Sequence, residues 1–340
     1  MAGYSGIGSN GVGFLEESPW GTAILTNPTH SLDARGGMES VIGECDQTVA
    51  QDLSNFGSIN TDTIKGNKRV SGSIDYDLRY GGGWMMFMGH LLGQAAHAEA
   101  PTDNYVMPLG ADPNATQMAK GITLRINRDG TTGGAFDYLY SGCRPVSLDF
   151  NFTENSIATC SVGLIGKDLS EVRAASSGGT YTRSTKPYVK SPSDRTSPTS
   201  FIQWDGGGHI CKNDSISIAV PWELNLDIQS PLGLVPVLAG PMEITGSFEV
   251  VTPNSTASPV GNVWVDDYRS QNGRPLIYTM DGATGFGLEF SLLNALITSA
   301  PDPHVSGPEL QTTTIEWKAL GQAGANEGTC TLVTDESAAW

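Results

Sequence analysis

The sequence predicts a mainly β protein built of two tandem sandwich or barrel domains, each with a short flanking α-helix and long loops. Three observations carry this reading. Residues 70–80 alternate, with Val70, Ile74, Tyr76, Leu78 and Tyr80 on even positions and Ser71, Ser73, Asp75, Asp77 and Arg79 on odd ones. Period two is the signature of a strand with one buried and one wet face. The 340 residues include 42 glycines and 19 prolines, with 39% hydrophobic and only 16% charged residues, which describes short strands and tight turns around a real core. The same order of elements also occurs twice.

The first domain is expected over residues 1–166, with an N-terminal arm. The opening "MAGYSGIGSNGVGF" has neither the basic nor the apolar region of a signal peptide. No stretch approaches the ~18 consecutive apolar residues of a spanning helix, so no membrane insertion is expected. The strand at 70–80 runs into Gly81, Gly82 and Gly83, which permit a sharp reversal. "WMMFMGHLL" follows, with Trp84, Phe87, Met88, Leu91 and Leu92 on one helical face. Met85 and Met86 lie off that face. Either another chain covers them or the helix is buried all round; on the first reading Trp84, Met85, Met86 and His90 are subunit-interface candidates. Residues 94–120 read as a long irregular loop, a length that is normally functional or disordered.

Downstream, "ITLRINRDGTTGGAFDYLY" at 122–140 reads as strand, turn, strand, with Asp129 and Gly130 in a hairpin turn. "IATCSVGLIG" at 157–166 closes the domain. Residues 167–200 are rich in Ser, Thr and Pro and hold six basic against three acidic residues. They read as a linker or as an arm docking on an acidic neighbour.

The second domain, 201–325, repeats the plan. "EITGSFEVV" at 243–251 places Gly246-Ser247 where the first half has Gly72-Ser73. "NVWVDDYRSQ" at 262–271 reads as a short helix, and Asp281 and Gly282 begin a second hairpin turn of the form Asp-Gly-x-Thr-Gly. "TTIEWKALG" at 313–321 is the closing strand, and 326–340 form a tail with some strand character. Three matches in one order suggest internal duplication; the competing reading is that strands and hairpins look alike in any β protein.

The net charge of −17 argues against a surface that grips phosphates. It is compatible with simple solubility, or with a protein that lets nucleic acid pass without sticking. The five cysteines are odd in number and lack C-x-x-C spacing, so reduced thiols are expected and no metal site is. "GIGSNG" at 6–11 matches G-x-G-x-x-G but lacks the strand and helix that give that string meaning. The five histidines are scattered, and the turn aspartates are explained by turn geometry. No catalytic residue, cofactor site or metal site is expected.

Three stretches carry a family resemblance: "VSGSIDYDLRYGGGWMMFMGHLLG", "YLYSGCRPVSLDFNFTENSIATCSVGLIGK" at 138–167, and "LNLDIQSPLGLVPVLAGPMEITGSFEVV" at 224–251. The chain resembles the tail tube (major tail) proteins of long-tailed bacteriophages. That resemblance implies β-sandwich or barrel domains whose inner sheets join across subunits into a β-lined channel, in rings that stack into a tube. Single-domain members form hexameric rings, so a two-domain chain implies a trimeric, pseudo-hexameric ring, with a hexamer if the duplication is false. It implies self-association, contact with other tail proteins such as the tape measure and terminator, and DNA passing without specific binding. The location implied is the virion tail, after synthesis in the host bacterial cytoplasm. The wet strand faces would then line the lumen, making Ser71, Ser73, Asp75, Asp77 and Glu249 lumen-facing candidates. The competing classes are a carbohydrate-binding or adhesive β protein of a virion or cell surface, for which Trp204, Trp222 and Trp264 are available, and a β-rich hydrolase with loop-borne carboxylates.

Overall fold

The computed structural model describes residues 9–26, 28, 30–32, 34–51, 60–81, 83–94, 97–99, 104–130, 134–174, 184–190, 202–209, 211–225, 234–251, 260–282, 285–300, 312–321 and 327–334. In the first half, β1 (Ser9–Glu17), β2 (His30–Leu32), β3 (Ala34–Glu39), β4 (Ile42–Gln51) and β5 (Asn60–Asp77) precede helix α1 (Trp84–Leu92). Then come β6 (His97–Glu99), β7 (Asn104–Leu109), the single turn α2 (Ala115–Met118), β8 (Gly121–Gly130), β9 (Gly134–Thr153), β10 (Thr159–Gly166) and β11 (Asp168–Ala174). The second half holds β12 (Ile202–Trp204), β13 (Gly207–His209), β14 (Cys211–Ala219), β15 (Trp222–Asn225), β16 (Leu234–Leu238), β17 (Glu243–Val251) and helix α3 (Val260–Ser270). It ends with β18 (Arg274–Asp281), β19 (Gly287–Ser299), β20 (Thr312–Ala319) and β21 (Gly328–Val333).

The two halves share one pairing scheme. In the first hairpin Ile122 faces Cys143 and Leu124 faces Tyr140; in the second Arg274 faces Ala295 and Leu276 faces Leu292, with the same register shift between them. The β10–β9 ladder carries an extra residue at Val146, and the β20–β19 ladder carries one at Thr298. Bulges bend a strand and sharpen its twist. Here the bend lets β9 serve two layers: its first part lies between β8 and β11, and its last part lies between β10 and β14.

Gly72 and Gly246 recur because the backbone of the neighbouring segment crosses close to them. A Cβ on Gly72, which has φ +146°, would sit 2.5 Å from the Ser40 carbonyl oxygen. One on Gly246 would sit 2.2 Å from the Ser215 carbonyl oxygen and 2.4 Å from the Trp317 ring.

The sheets do not stop at the boundary between halves. β14 pairs with β17 on one edge and with the end of β9 on the other, so the order β5–β10–β9–β14–β17–β20 is continuous. In return β7 crosses from the first half to pair with β21, with Met107 opposite Cys330. Trp222 of the second half donates its indole N–H to the Leu91 carbonyl at 2.7 Å, and Arg144 stacks on its ring at 4.8 Å.

These crossings correct several expectations. Residues 94–120 are not one irregular loop, since they hold β6, β7 and α2. Of the expected linker 167–200, residues 168–174 are β11, and Val189 is locked to Leu78 and Ala158 by backbone hydrogen bonds of 2.8 Å each. Of the expected tail 326–340, residues 328–333 are β21. β7 and β21 bury their alternate residues, and β11 pairs with β9, pairings at long sequence range that local composition does not report.

Helix α1 is buried on every side, including Trp84, Met85, Met86 and His90. Phe14 meets Phe87 at 4.8 Å and Phe150 meets Trp84 at 5.7 Å. The apolar surplus of Met85 and Met86 is therefore consumed within the chain, and these four residues are core rather than exposed subunit interface.

Candidate functional site

The continuous sheet has two faces, and they differ sharply. On β5, Val70, Ile74 and Tyr76 point into the core, while Ser71, Ser73, Asp75 and Asp77 point the other way and remain partly exposed. Paired residues share a face, so the register carries this wet face across six strands. Asp75, Ser161, Asp149, Ser217, Thr245 and Lys318 form one transverse row. Asp77, Thr159, Asn151, Ser215, Ser247 and Glu316 form the next. Glu249 lies in the row beyond, with Thr153, Asn213 and Thr314.

All five lumen-facing candidates thus fall on one face, and the register joins Ser147, Asp149, Glu243 and Glu316 to them. The sequence carried a signal for these: Trp317 is buried between Glu316 and Lys318, and Phe150 between Asp149 and Asn151. What could not be seen is the bulge at Val146, which sets the phase of the last part of β9.

Short polar side chains on this face are tied to one another. The Ser215 and Ser247 hydroxyls lie 2.9 Å apart. Ser217 donates to one Asp149 oxygen and Ser147 to the other at 3.3 Å. Asn213 Nδ2 donates to Glu249 Oε2 at 2.6 Å. A hydrogen bond from Thr312 first, and the one from Asn213 after burial is set against it, hold the Glu249 carboxyl below the usual carboxylate range. Lys318 Nζ donates to Glu243 Oε1 at 2.7 Å. Among the described residues of these strands, the face carries the carboxylates Asp75, Asp77, Asp149, Glu243, Glu249 and Glu316 and the cations Arg69 and Lys318, which pair with Glu44 at 2.6 Å and with Glu243, and no aromatic ring.

The turn aspartates are structural. Asp129 pairs with Ala135 and Gly130 with Gly134, and Asp281 pairs with Gly287. The Gly282 N–H donates to the Phe286 carbonyl at 3.0 Å; residues 131–133 and 283–284 lie outside the described residues.

Other polar groups are inward-facing and bind the fold. Buried Glu17 accepts from Gly21 N and the Thr123 hydroxyl at 2.6 Å and from Gly142 N at 3.0 Å; burial pushes its carboxyl up against those bonds. Buried Arg125 is paired with buried Asp137, whose other oxygen accepts from Asn127 at 2.8 Å. His90 Nε2 lies 3.4 Å from Glu16 Oε1, close enough for charge attraction but without a hydrogen bond. Burial holds His90 below its ordinary value although Glu16 opposes this.

Among the described residues no group of three His, Cys, Asp or Glu side chains is placed to hold a metal, and no helix is long and apolar enough to cross a membrane. Cys143, Cys160, Cys211 and Cys330 are buried thiols, and burial pushes the Cys143, Cys160 and Cys330 thiols up, away from the reactive thiolate. Trp204, Trp222 and Trp264, the rings available to a carbohydrate groove, are all buried. Compared with known protein families, residues 9–319 match the model described as phage tail tube protein. No curated protein matches the chain.

Proposed function

Because this chain belongs to the phage tail tube proteins, a structural family of the virion tail, we propose that three copies close into a pseudo-hexameric ring. Such rings stack into a tube whose bore is the acidic, hydroxyl-lined sheet face. DNA passes along that face during ejection without adhering to it. One observation carries the reading: a single sheet spans both halves and presents one polar face whose charges are mostly carboxylates.

The dimensions agree with passage of a duplex. Each copy offers the β3–β4 edge followed by β5, β10, β9, β14, β17, β20 and β19, eight positions around the bore. Three copies give a closed sheet whose circumference, at about 4.8 Å per strand, is about 115 Å, or about 37 Å across the backbones before strand tilt widens it. That leaves room for side chains and a double helix. Contact with the tape measure and terminator at the tube ends follows from the same reading.

Electron microscopy of the purified protein tests this. Tubes whose cross-sections show three-fold symmetry, with the β5–β20 face toward the axis, are expected. Dispersed single chains under all assembly conditions, or a bore lined by the opposite layer, would overturn the reading.

A further inference from the structure

Resting on the tube reading, we propose that copies of the chain join through the same strand register that joins its two halves, with Glu44 of one copy opposite Ser299 of the next. The internal seam sets Ala219 of β14 against Ser147 of β9. The repeat identifies the counterparts of both. Ala219 pairs with Glu243, three residues before Gly246; Arg69, three residues before Gly72, pairs with Glu44. Glu44 therefore stands where Ala219 stands. Ser147 sits opposite Gly163, immediately past the bulge at Val146; Ser299 sits opposite Glu316, immediately past the bulge at Thr298. Ser299 therefore stands where Ser147 stands.

Both edges are open among the described residues of one chain. Among the described residues, the outer edge of β3–β4 has no partner strand, and Ile42 on it is half exposed. β18 covers β19 only as far as Ala295, and no other described strand pairs with that edge from Leu296 to Ser299. An unpaired edge is a template for another strand. The occupant is a second copy, because the chain already shows what that edge accepts: β14 is the repeat of β3–β4, and it fills the corresponding edge of β9.

The two seams differ in strength. Inside the chain, Trp222 stacks on Arg144, whose Nη2 also donates to the carbonyls of Met118 and Lys120 at 2.8 Å. The residue corresponding to Arg144 is Leu296, by their matching positions opposite Ile165 and Lys318. Three residues beyond the seam, where the second half has Trp222, the first has Gln47. Nor does the seam between copies have the β7–β21 crossing. Copies therefore separate at the Glu44–Ser299 seam while the two halves stay joined.

Engineered disulfides test the register. The Ser147–Ala219 pair is a non-hydrogen-bonded one, since Val220 N donates to the adjacent Val146 O at 2.9 Å, and such pairs bring side chains close. Ser147→Cys with Ala219→Cys is the control and closes within single chains, assembled or not. Glu44→Cys with Ser299→Cys is expected to link chains into two- and three-chain species in assembled tubes, and to leave free subunits at single-chain mass; neither single variant does this. Tubes that assemble yet stay at single-chain mass, while the control closes, overturn the register and leave the tube reading intact. If the double variant does not assemble, amide exchange of the wild-type chain decides: protection of residues 39–44 on assembly supports the seam, and unchanged exchange overturns it. Failure of the wild-type chain to form tubes refutes the tube reading instead, and the seam with it.

Discussion

Reversing the charge of Asp75 and Asp77 replaces two of the six carboxylates on the wet face with lysines. The side chains are partly exposed and point away from the core, so Asp75→Lys with Asp77→Lys leaves folding and assembly intact. The effect on passing DNA follows from screening. At one Debye length, about 8 Å, a unit charge pair in water is worth about 0.2 kcal/mol after screening. Turning each repulsion into an attraction changes the interaction by about 0.4 kcal/mol per site, and two sites in three copies give about 2 kcal/mol per ring. That corresponds to roughly thirty-fold longer residence of the phosphates at each ring. The assay is DNA release from purified virions, followed in time at several ionic strengths. Slower release is expected at low salt, and the difference should vanish near 1 M, where the Debye length falls to about 3 Å. Intact tubes that release DNA at the wild-type rate in low salt, or a slowing that does not respond to salt, would refute the electrostatic argument.

Three further outcomes are expected in the isolated chain. Gly246→Ala forces a methyl against the Ser215 carbonyl and the Trp317 ring and should cost about 3 kcal/mol in urea unfolding; an unchanged midpoint would show that the two strands can part. Asp137→Ala strands the Arg125 guanidinium in the interior and should cost about 3–5 kcal/mol, while replacing both partners with apolar residues recovers most of it in thermal melts. His90 faces Glu16, Lys120 and Arg144, and its folded value is lowered, chiefly by burial. The unfolded chain then takes up this proton first, so the His90 contribution is complete above about pH 6.5 and is lost as pH falls through the lowered folded value. Burial raises Glu16, but the hydrogen bond from Lys120 and the nearness of His90 outweigh it and hold Glu16 below its usual range, so its contribution is lost only at lower pH. His90→Gln should flatten the first of these losses in pH-dependent denaturation; an unchanged slope there would remove His90 as its source.

The elements legible in the sequence are those defined by neighbours in the chain. The alternation at 70–80, the helix at 84–92 and the two Asp-Gly hairpins all rest on contacts a few residues apart. The Gly-Ser repeat was legible too, but its cause was not, because the atoms that exclude a side chain belong to Ser40, Ser215 and Trp317. What stayed hidden depends on distant pairing. β7 is apolar enough to be a strand, yet its partner lies in β21. β9 reads as ordinary strand on both sides of Val146, although the bulge there moves it from one layer to the other. The off-face methionines of α1 looked like surplus because the helix was weighed against one sheet, whereas Met107 on β7 reaches Gly89 from the other side.

The composition of the wet face is as selective in what it omits as in what it holds. Aromatic rings on such a face would stack on exposed bases, at about 1–3 kcal/mol each, and guanidinium groups would fork onto phosphates. The aromatic residues on the parts of these strands that form this sheet, Tyr76, Phe150, Phe152, Phe248 and Trp317, lie in the opposite phase, in the core. Arg144, the arginine of β9, is turned inward onto backbone carbonyls and Trp222, and burial lowers its value to about 10, which still leaves it charged at neutral pH. The same alternation that builds the core thus keeps these rings and Arg144 off the wet side, and Arg69, which does point there, is held by Glu44 at 2.6 Å. Hydroxyls and carboxylates tied to one another, as Asp149 is to Ser147 and Ser217, then leave few donors free to turn toward a phosphate. A one-residue slip of any of the ring-bearing strands would exchange the two sets, placing rings on the wet face and polar groups in the core. The bulges at Val146 and Thr298 thus occur where phase sets both the packing of the core and the polarity of the wet face.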